Sequence, residues 1–230
     1  MYNVLQTPVF GIVVTILFFN LGLYIQKKTK LAIFNPLLIA ILAIIVFLKI
    51  CNIPYESYKS GGDTINFFLA PVTIVLALPL YKQYNLLKKH FYEIIVGITS
   101  GVVVSFISII IISKLTNSDK LIMNSLLGKS ITTPMGISLT STLGGIESVT
   151  IVAIILTGII GGMIATPVFK FINTKHPVSK GIALGTASHA LGTTKALELG
   201  EIEGAMSGLA IGISGTITVI LVPILINFMK

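Results

Sequence analysis

Across 230 residues, 54% are hydrophobic and 10% charged, against about a quarter charged in an ordinary soluble domain, and the hydrophobics come in long runs, so lipid is the main solvent. A span needs about 20 apolar residues, which allows at most about eight crossings on short connections and excludes an extramembrane domain. The formal charge of +8 resides on sixteen lysines that cluster between apolar runs, as orientation signals do, which argues against nucleic acid as a partner.

The first apolar run, Val4 to Tyr24, ends at Gln26-Lys27-Lys28-Thr29-Lys30. No basic leader precedes it and no small-x-small cleavage site follows, so it reads as a retained first helix. A second run, Leu31 to Cys51, leads into a polar loop carrying Glu56, Lys59 and Asp63. Short loops with excess lysine stay in the cytoplasm, so the first helix runs from outside to inside. Cys51 is the only cysteine; it can form no disulfide or CxxC site within the chain and reads as a small hydrophobe at a helix end. The third run, Thr64 to Tyr81, contains Pro71 and Pro79, and proline removes a backbone donor and clashes with the preceding turn, so a broken helix is expected. Lys82, Lys88 and Lys89 then mark the inside, and a fourth run, Phe91 to Ser113, returns outward with Gly97 and Gly101 as a GxxxG face for close helix contact.

Leu121 to Gly145 is too polar to face lipid, being interrupted by Lys129, Ser130, Thr132, Thr133, Pro134, Ser138 and Thr140. If this stretch dips in and returns, the Lys170–Lys175–His176–Lys180 loop after the apolar run Glu147 to Phe171 is cytoplasmic, as its lysines suggest; if it crosses, that loop is outside. The re-entrant reading is preferred. Gly181 to Leu197 is short and rich in glycine and hydroxyls, and reads as a discontinuous helix before the acidic Glu198, Glu201 and Glu203. In the last run, Gly204 to Met229, the steps of four from Gly204 through Gly208 to Gly212 form a rail for packing on a neighbour, within the chain or in a homo-oligomer.

The expected fold is therefore an all-α polytopic membrane protein, one integral membrane domain over residues 1–230, with about seven or eight transmembrane elements including discontinuous or re-entrant helices. With the re-entrant dip, the C-terminus lies inside; with a further crossing, outside. The interrupted segments Thr64 to Tyr81 and Gly181 to Leu197 occupy similar places in the two halves, which suggests an internal structural repeat with a midplane binding site between its copies.

Unsatisfied backbone at membrane depth costs several kcal/mol per group, so broken helices must border protein or a watery cavity. Lysine at the centre of a helix in hydrocarbon costs about 2.5 to 3.5 kcal/mol, and such residues usually mark a substrate or ion pathway. Lys129, with Ser130, Thr132 and Thr133 beside it to donate hydrogen bonds, suits a small organic anion; alternatively Lys129 lies near the outer interface and snorkels to water. His189, the one histidine outside a lysine-rich loop, titrates near about 6.5 in water and could carry a proton through a transport cycle, or serve as a neutral imidazole bonding a neighbouring hydroxyl. Pro71-Val72-Thr73 and Thr186-Ala187-Ser188 are the candidate break points and complete the candidate substrate site together with Gly192, although Gly181, Gly185 and Gly192 also suit simple close packing. Catalysis finds no support: HExxH and GxSxG are missing, and Gly128-Lys129-Ser130 lacks the GxxxxGK spacing because position 123 is methionine. No cofactor and no metal are expected.

The motifs FFLAPVTIVLALPLYKQ (Phe67 to Gln83), GKSITTPMGISLTSTLGGI (Gly128 to Ile146) and GIALGTASHALGTTKALELGEIEGAMSGLA (Gly181 to Ala210) resemble those of the LrgB/CidB family over almost the whole chain. TASHALGT and KSITTP are the most specific parts, while Met135 and Gly136 depart from the Ile-Ala that the family places after TTP. The resemblance implies a multi-pass protein of the bacterial cell membrane with one of two roles. In the first it is an antiholin-like regulator that restrains murein hydrolases and autolysis with a small holin-like LrgA/CidA partner. In the second it is a carrier, since relatives are associated with pyruvate movement and a plant plastid glycolate/glycerate transporter resembles the two partners fused. A cavity with lysine, hydroxyls and histidine sides with proton-coupled transport of a small monocarboxylate.

Overall fold

The computed structural model describes residues 5, 7–29, 34, 36–68, 71, 81–82 and 84–228, and every regular element among them is a helix. They fall into two compact units, Met1–Val75 and Leu76–Lys230.

The first unit holds α1 (Pro8–Thr29), α2 (Pro36–Ile50) and α3 (Tyr55–Phe67). α1 and α2 are apolar and meet where Gly22 lies against the Pro36 backbone, with no room for a side chain. The loop expected to carry Glu56, Lys59 and Asp63 is instead the helix α3. Its charged residues Glu56, Lys59 and Asp63 are exposed, Glu56 stands in its first turn where the helix dipole favours an anion, and Gly61 is buried backbone to backbone on Gly11 of α1. Tyr58 Oη and Thr15 Oγ1, 3.0 Å apart, pin the same crossing. Pro71 is described, in this unit; residues 72–80, with Thr73, Pro79 and the expected break, lie outside the described residues.

The second unit contains α4 (Tyr84–Lys89), α5 (Phe91–Leu115), α6 (Lys120–Leu126), α7 (Thr133–Leu143), α8 (Glu147–Phe171), α9 (Pro177–Leu199) and α10 (Glu201–Phe228). α5, α8 and α10 have 25, 25 and 28 residues, about 37 to 42 Å at 1.5 Å per residue. Together with α1, they are the described helices long and apolar enough to cross a membrane. α5 and α10 rise side by side: Ile94 and Ile98 share a buried cluster with Ala205, Met206 and Ala210, and Phe106 and Ile109 share another with Val222 and Ile226. α8 runs the other way.

Two hairpins of half-length helices fill the space between. Going into the first, Ser125 precedes Gly128; coming out, Gly136 lies against Gly128, and the Ile146 amide donates to Ser125 Oγ at 2.7 Å. The chain from α6 to α7 therefore turns back near Lys129 to Thr132 and leaves at the end where it came in, as the re-entrant reading expects. α9 does the same from the opposite end. His189 breaks it with φ 42° and ψ −134°, and the return arm 190–199 folds onto the first arm, placing Gly192 against the Leu184 carbonyl and Ala196 in a cluster with Leu184, Ala165 and Phe169. Both arms are then close to α10, since Gly185 lies on Ser207 and Thr193 Oγ1 is 2.7 Å from Ser207 Oγ. α7 and the two arms of α9 each measure about 15 to 18 Å, half the depth of a bilayer core.

This geometry corrects the reading of Gly181 to Leu197 as a discontinuous helix that crosses. The acidic Gly200–Glu203 stretch returns to the end of the unit holding Lys82, which sits 3.8 Å from Glu201. At that end too the rings of His90 and His176 are 5.7 Å apart. Lys82, Lys88, Lys89, Lys170, Lys175 and Lys180 gather there, so it is the cytoplasmic end by the lysine rule. The far end of α10, with Ile226, lines a surface pocket with Lys114, Asn117 and Lys120, which corrects the inside placement of the C-terminus expected with the re-entrant dip. The break in α9 also falls one residue beyond Thr186-Ala187-Ser188.

With Cys51 replaced by serine, Lys175→Cys and Glu198→Cys are expected to react with an impermeant maleimide from one membrane face, and Asn117→Cys and Asn227→Cys from the other. Labelling of Glu198→Cys from the face of Asn117→Cys would disprove the second hairpin.

Small residues set the helix contacts, though not all those expected. Gly97 and Gly101 of α5 face Ile182 and Thr186 of α9, and Gly181 and Gly185 of α9 meet Glu203, Met206, Ser207 and Ala210 of α10. Gly204 packs on Leu197, but Gly208 and Gly212 meet nothing within 4 Å. Among the described residues the rail therefore makes contact only at its Gly204 end, because α10 turns Ser207 and Ala210 toward α9.

Candidate functional site

The two hairpins enter from opposite ends and their tips approach one another at mid-depth. At the first tip, Gly128 allows the turn by lying against Gly136. Thr132 is extended and caps α7 through its backbone, the Gly136 amide donating to its carbonyl at 2.8 Å, and its hydroxyl makes no capping bond. Pro134 fits the first turn because no intrahelical donor is needed there. A buried hydroxyl relay ties the hairpin to α8: Thr150 Oγ1 donates to the Ser125 carbonyl at 2.8 Å and lies 2.7 Å from Thr140 Oγ1. Lys129 is half-buried at the tip, its ammonium donating to Ser130 Oγ at 3.1 Å.

At the second tip, a positive φ on a side chain as large as histidine is uncommon and costs energy, so it persists only where the surroundings hold it. Here the hold is the 2.9 Å bond between His189 Nε2 and the Ile154 carbonyl of α8. A carbonyl only accepts, so Nε2 carries the hydrogen. Gly158 makes room for the imidazole and Gly161 for Ser188. Thr193 Oγ1 is 3.1 Å from the His189 carbonyl. Each tip presents one helix end and one helix start at membrane depth, where partial charges of both signs lie unscreened.

Between the tips and the middles of α5 and α10 lies a small cavity lined by Ser105, Ser130, Thr186, Ser214 and Thr218, with Val102, Phe106, Leu127 and Val222. Its volume is about 10 Å³, room for about one water molecule. Thr186 Oγ1 is buried with no hydrogen-bond partner.

Of the expected site residues, Ser130 and Thr186 line this cavity; Lys129 adjoins it through its bond to Ser130, whereas the His189 ring is turned to the Ile154 carbonyl of α8, and neither Lys129 nor His189 is among the lining residues. Thr132 and Thr133 sit at the start of α7, just after Ser130 in the chain. Ser188 and Gly192 are buried in the contacts that fold the second hairpin, against Gly161 and Leu184. Pro71 belongs to the first unit and Thr73 lies outside the described residues. Ser105, Ser214 and Thr218 were not anticipated. Their signal was available, since polar residues at the centre of apolar helices usually have a purpose, but Ser105 lies in the long apolar run of α5 and Ser214 and Thr218 in that of α10, away from the interrupted segments. Among the described residues no cluster of His, Cys, Asp and Glu could hold a metal ion.

The sequence matches the model of the LrgB-like family over residues 15–228. It is 39% identical over 224 residues to the "Antiholin-like protein LrgB" of Bacillus cereus (strain B4264), covering 97% of both chains. The "Antiholin-like protein LrgB" of Bacillus anthracis (strain CDC 684 / NRRL 3495) has the same identity and coverage. No solved structure matches.

Proposed function

The chain belongs to the LrgB-like family, and from that premise and the geometry of the two tips we propose that it carries small monocarboxylates, pyruvate, glycolate or a similar anion, across the bacterial cell membrane. The observation that supports this most is the meeting of two opposed half-depth hairpins over a polar cavity beside Lys129. Half-helices that end at membrane depth leave backbone groups that must be satisfied, and carriers use such ends to hold substrate. The first hairpin is re-entrant from outside and the second from the cytoplasm, so withdrawing one tip at a time would open the centre to one side at a time. His189, hinged where the second hairpin turns, is the candidate for proton coupling. A small LrgA/CidA-like membrane protein is the proposed partner.

A second reading is an antiholin-like role, with control of murein hydrolases and autolysis as its proposed form; the antiholin-like name of the relatives favours it. Uptake into liposomes separates the two. Saturable, pH-gradient-driven entry of labelled pyruvate or glycolate, by the chain alone or with an LrgA-like partner, is the expected result; no saturable uptake in either preparation would leave the regulatory reading.

A further inference from the structure

We propose that the hydroxyl cage between the hairpin tips and α5 and α10 is the seat of the substrate's carboxylate, and that Thr186 selects it. This rests on the carrier reading and gives that site its specificity. The chemistry of the cage is one-sided. Five hydroxyls from four segments line it, Ser105 from α5, Ser130 from the first tip, Thr186 from α9, and Ser214 and Thr218 from α10, with no carboxylate among the lining residues. A hydroxyl can donate or accept, so the neighbouring charge decides which role the set takes. That charge is the Lys129 ammonium, bonded to Ser130 Oγ at 3.1 Å. It repels a cation from the cage and turns the hydroxyls toward donation to an anion.

Thr186 carries the argument beyond charge. Its side chain is 8% exposed, its oxygen has no partner, and it lines the cage. Buried polar atoms are nearly always paired, so an unpaired one on a side chain that lines a cavity points to a ligand that completes it. Gly101 of α5 leaves room for the Thr186 methyl group, which a Cβ at that position would meet at 2.8 Å. The count of charges limits the ligand. One ammonium matches one carboxylate, and a second carboxylate would sit in low dielectric with no cation to answer it. Size adds a conformational condition. About 10 Å³ admits a water-sized group only, so a carboxylate enters when Ser130 and Thr186, which ride on the hairpins, part from Ser105, Ser214 and Thr218 on the crossing helices.

The test pairs binding with transport in the purified, reconstituted full chain. Thr186→Val keeps the shape and deletes the unpaired oxygen, so thermal stability is expected to hold or rise while Kd and KM for pyruvate rise about tenfold or more. Thr186→Ser is expected to restore wild-type affinity. Glycolate is expected to compete with pyruvate, and malonate not to. Thr218→Val gives a second reading of the cage, with the same loss of affinity, should Thr186→Val fail to fold. Unchanged pyruvate affinity in a folded variant, or competition by malonate equal to that by glycolate, overturns the cage. Wild-type protein that binds pyruvate at the cage without moving it overturns the carrier reading and leaves the cage standing, and protein that does neither overturns both.

Discussion

Lys129→Met is expected to raise KM for anion uptake about thirtyfold to a few thousandfold while Lys120→Met leaves it unchanged, measured in proteoliposomes at matched protein incorporation. Truncating one partner of a desolvated charge pair costs about 2 to 5 kcal/mol, and 1.4 kcal/mol is a factor of about ten. Lys129 qualifies for that range because it is half-buried at a hairpin tip, next to a cavity level with the middles of α5 and α10. Lys120 begins α6 at the far end of the same hairpin and is exposed, where solvent screening reduces its contribution. A snorkelling Lys129, reaching the outer interface, would make the two variants alike. Near-normal uptake by Lys129→Met would therefore remove the electrostatic basis of the proposed site.

Local chemistry explains what the sequence made legible. The polar interruption at Lys129 to Thr133 breaks an apolar run, and a re-entrant hairpin is the solution that keeps those groups off lipid. TASHALGT likewise marked the second interruption. What the pattern hid was direction. A chain that crosses through a kink and one that folds back at the same residue have the same composition, and the outcome at His189 is set by tertiary contacts: the Ile154 carbonyl and the glycines of α8 hold the tip, and Ser207 draws both arms to α10. The glycine steps on α10 misled for a related reason. Period four gives a face, but which face meets α9 depends on rotation of the helix, and the structure turns Ser207 and Ala210 inward. Ser105 is far in sequence from Ser214 and Thr218, and the three hydroxyls become one site only when α5 and α10 rise together.

The second large effect is expected at Gly161, where a single added methyl group should unseat the tip of the second hairpin. A Cβ built there falls on Ser188 Oγ, with Ser188 Cβ 2.9 Å away. Ser188 is 1% exposed and adjoins the His189 break, so it has little freedom to yield. Overpacking of this kind costs about 1 to 3 kcal/mol, and in a hairpin whose tip contributes Thr186 and His189 the displacement reaches the cage directly. Gly161→Ala is therefore expected to lower the unfolding temperature in detergent and to cut uptake sharply, although its side chain touches no substrate. Ser188→Gly removes both offending atoms and should return much of the loss, a coupling of about 1 kcal/mol or more in a double-mutant cycle. Gly212→Ala provides the contrast: its Cβ meets nothing within 4 Å, and alanine is the better helix former by up to about 1 kcal/mol, so stability should hold or improve. Equal stability and uptake for Gly161→Ala and Gly212→Ala would mean that the second hairpin does not seat on α8 as described, and the meeting of the two tips would lose its anchor.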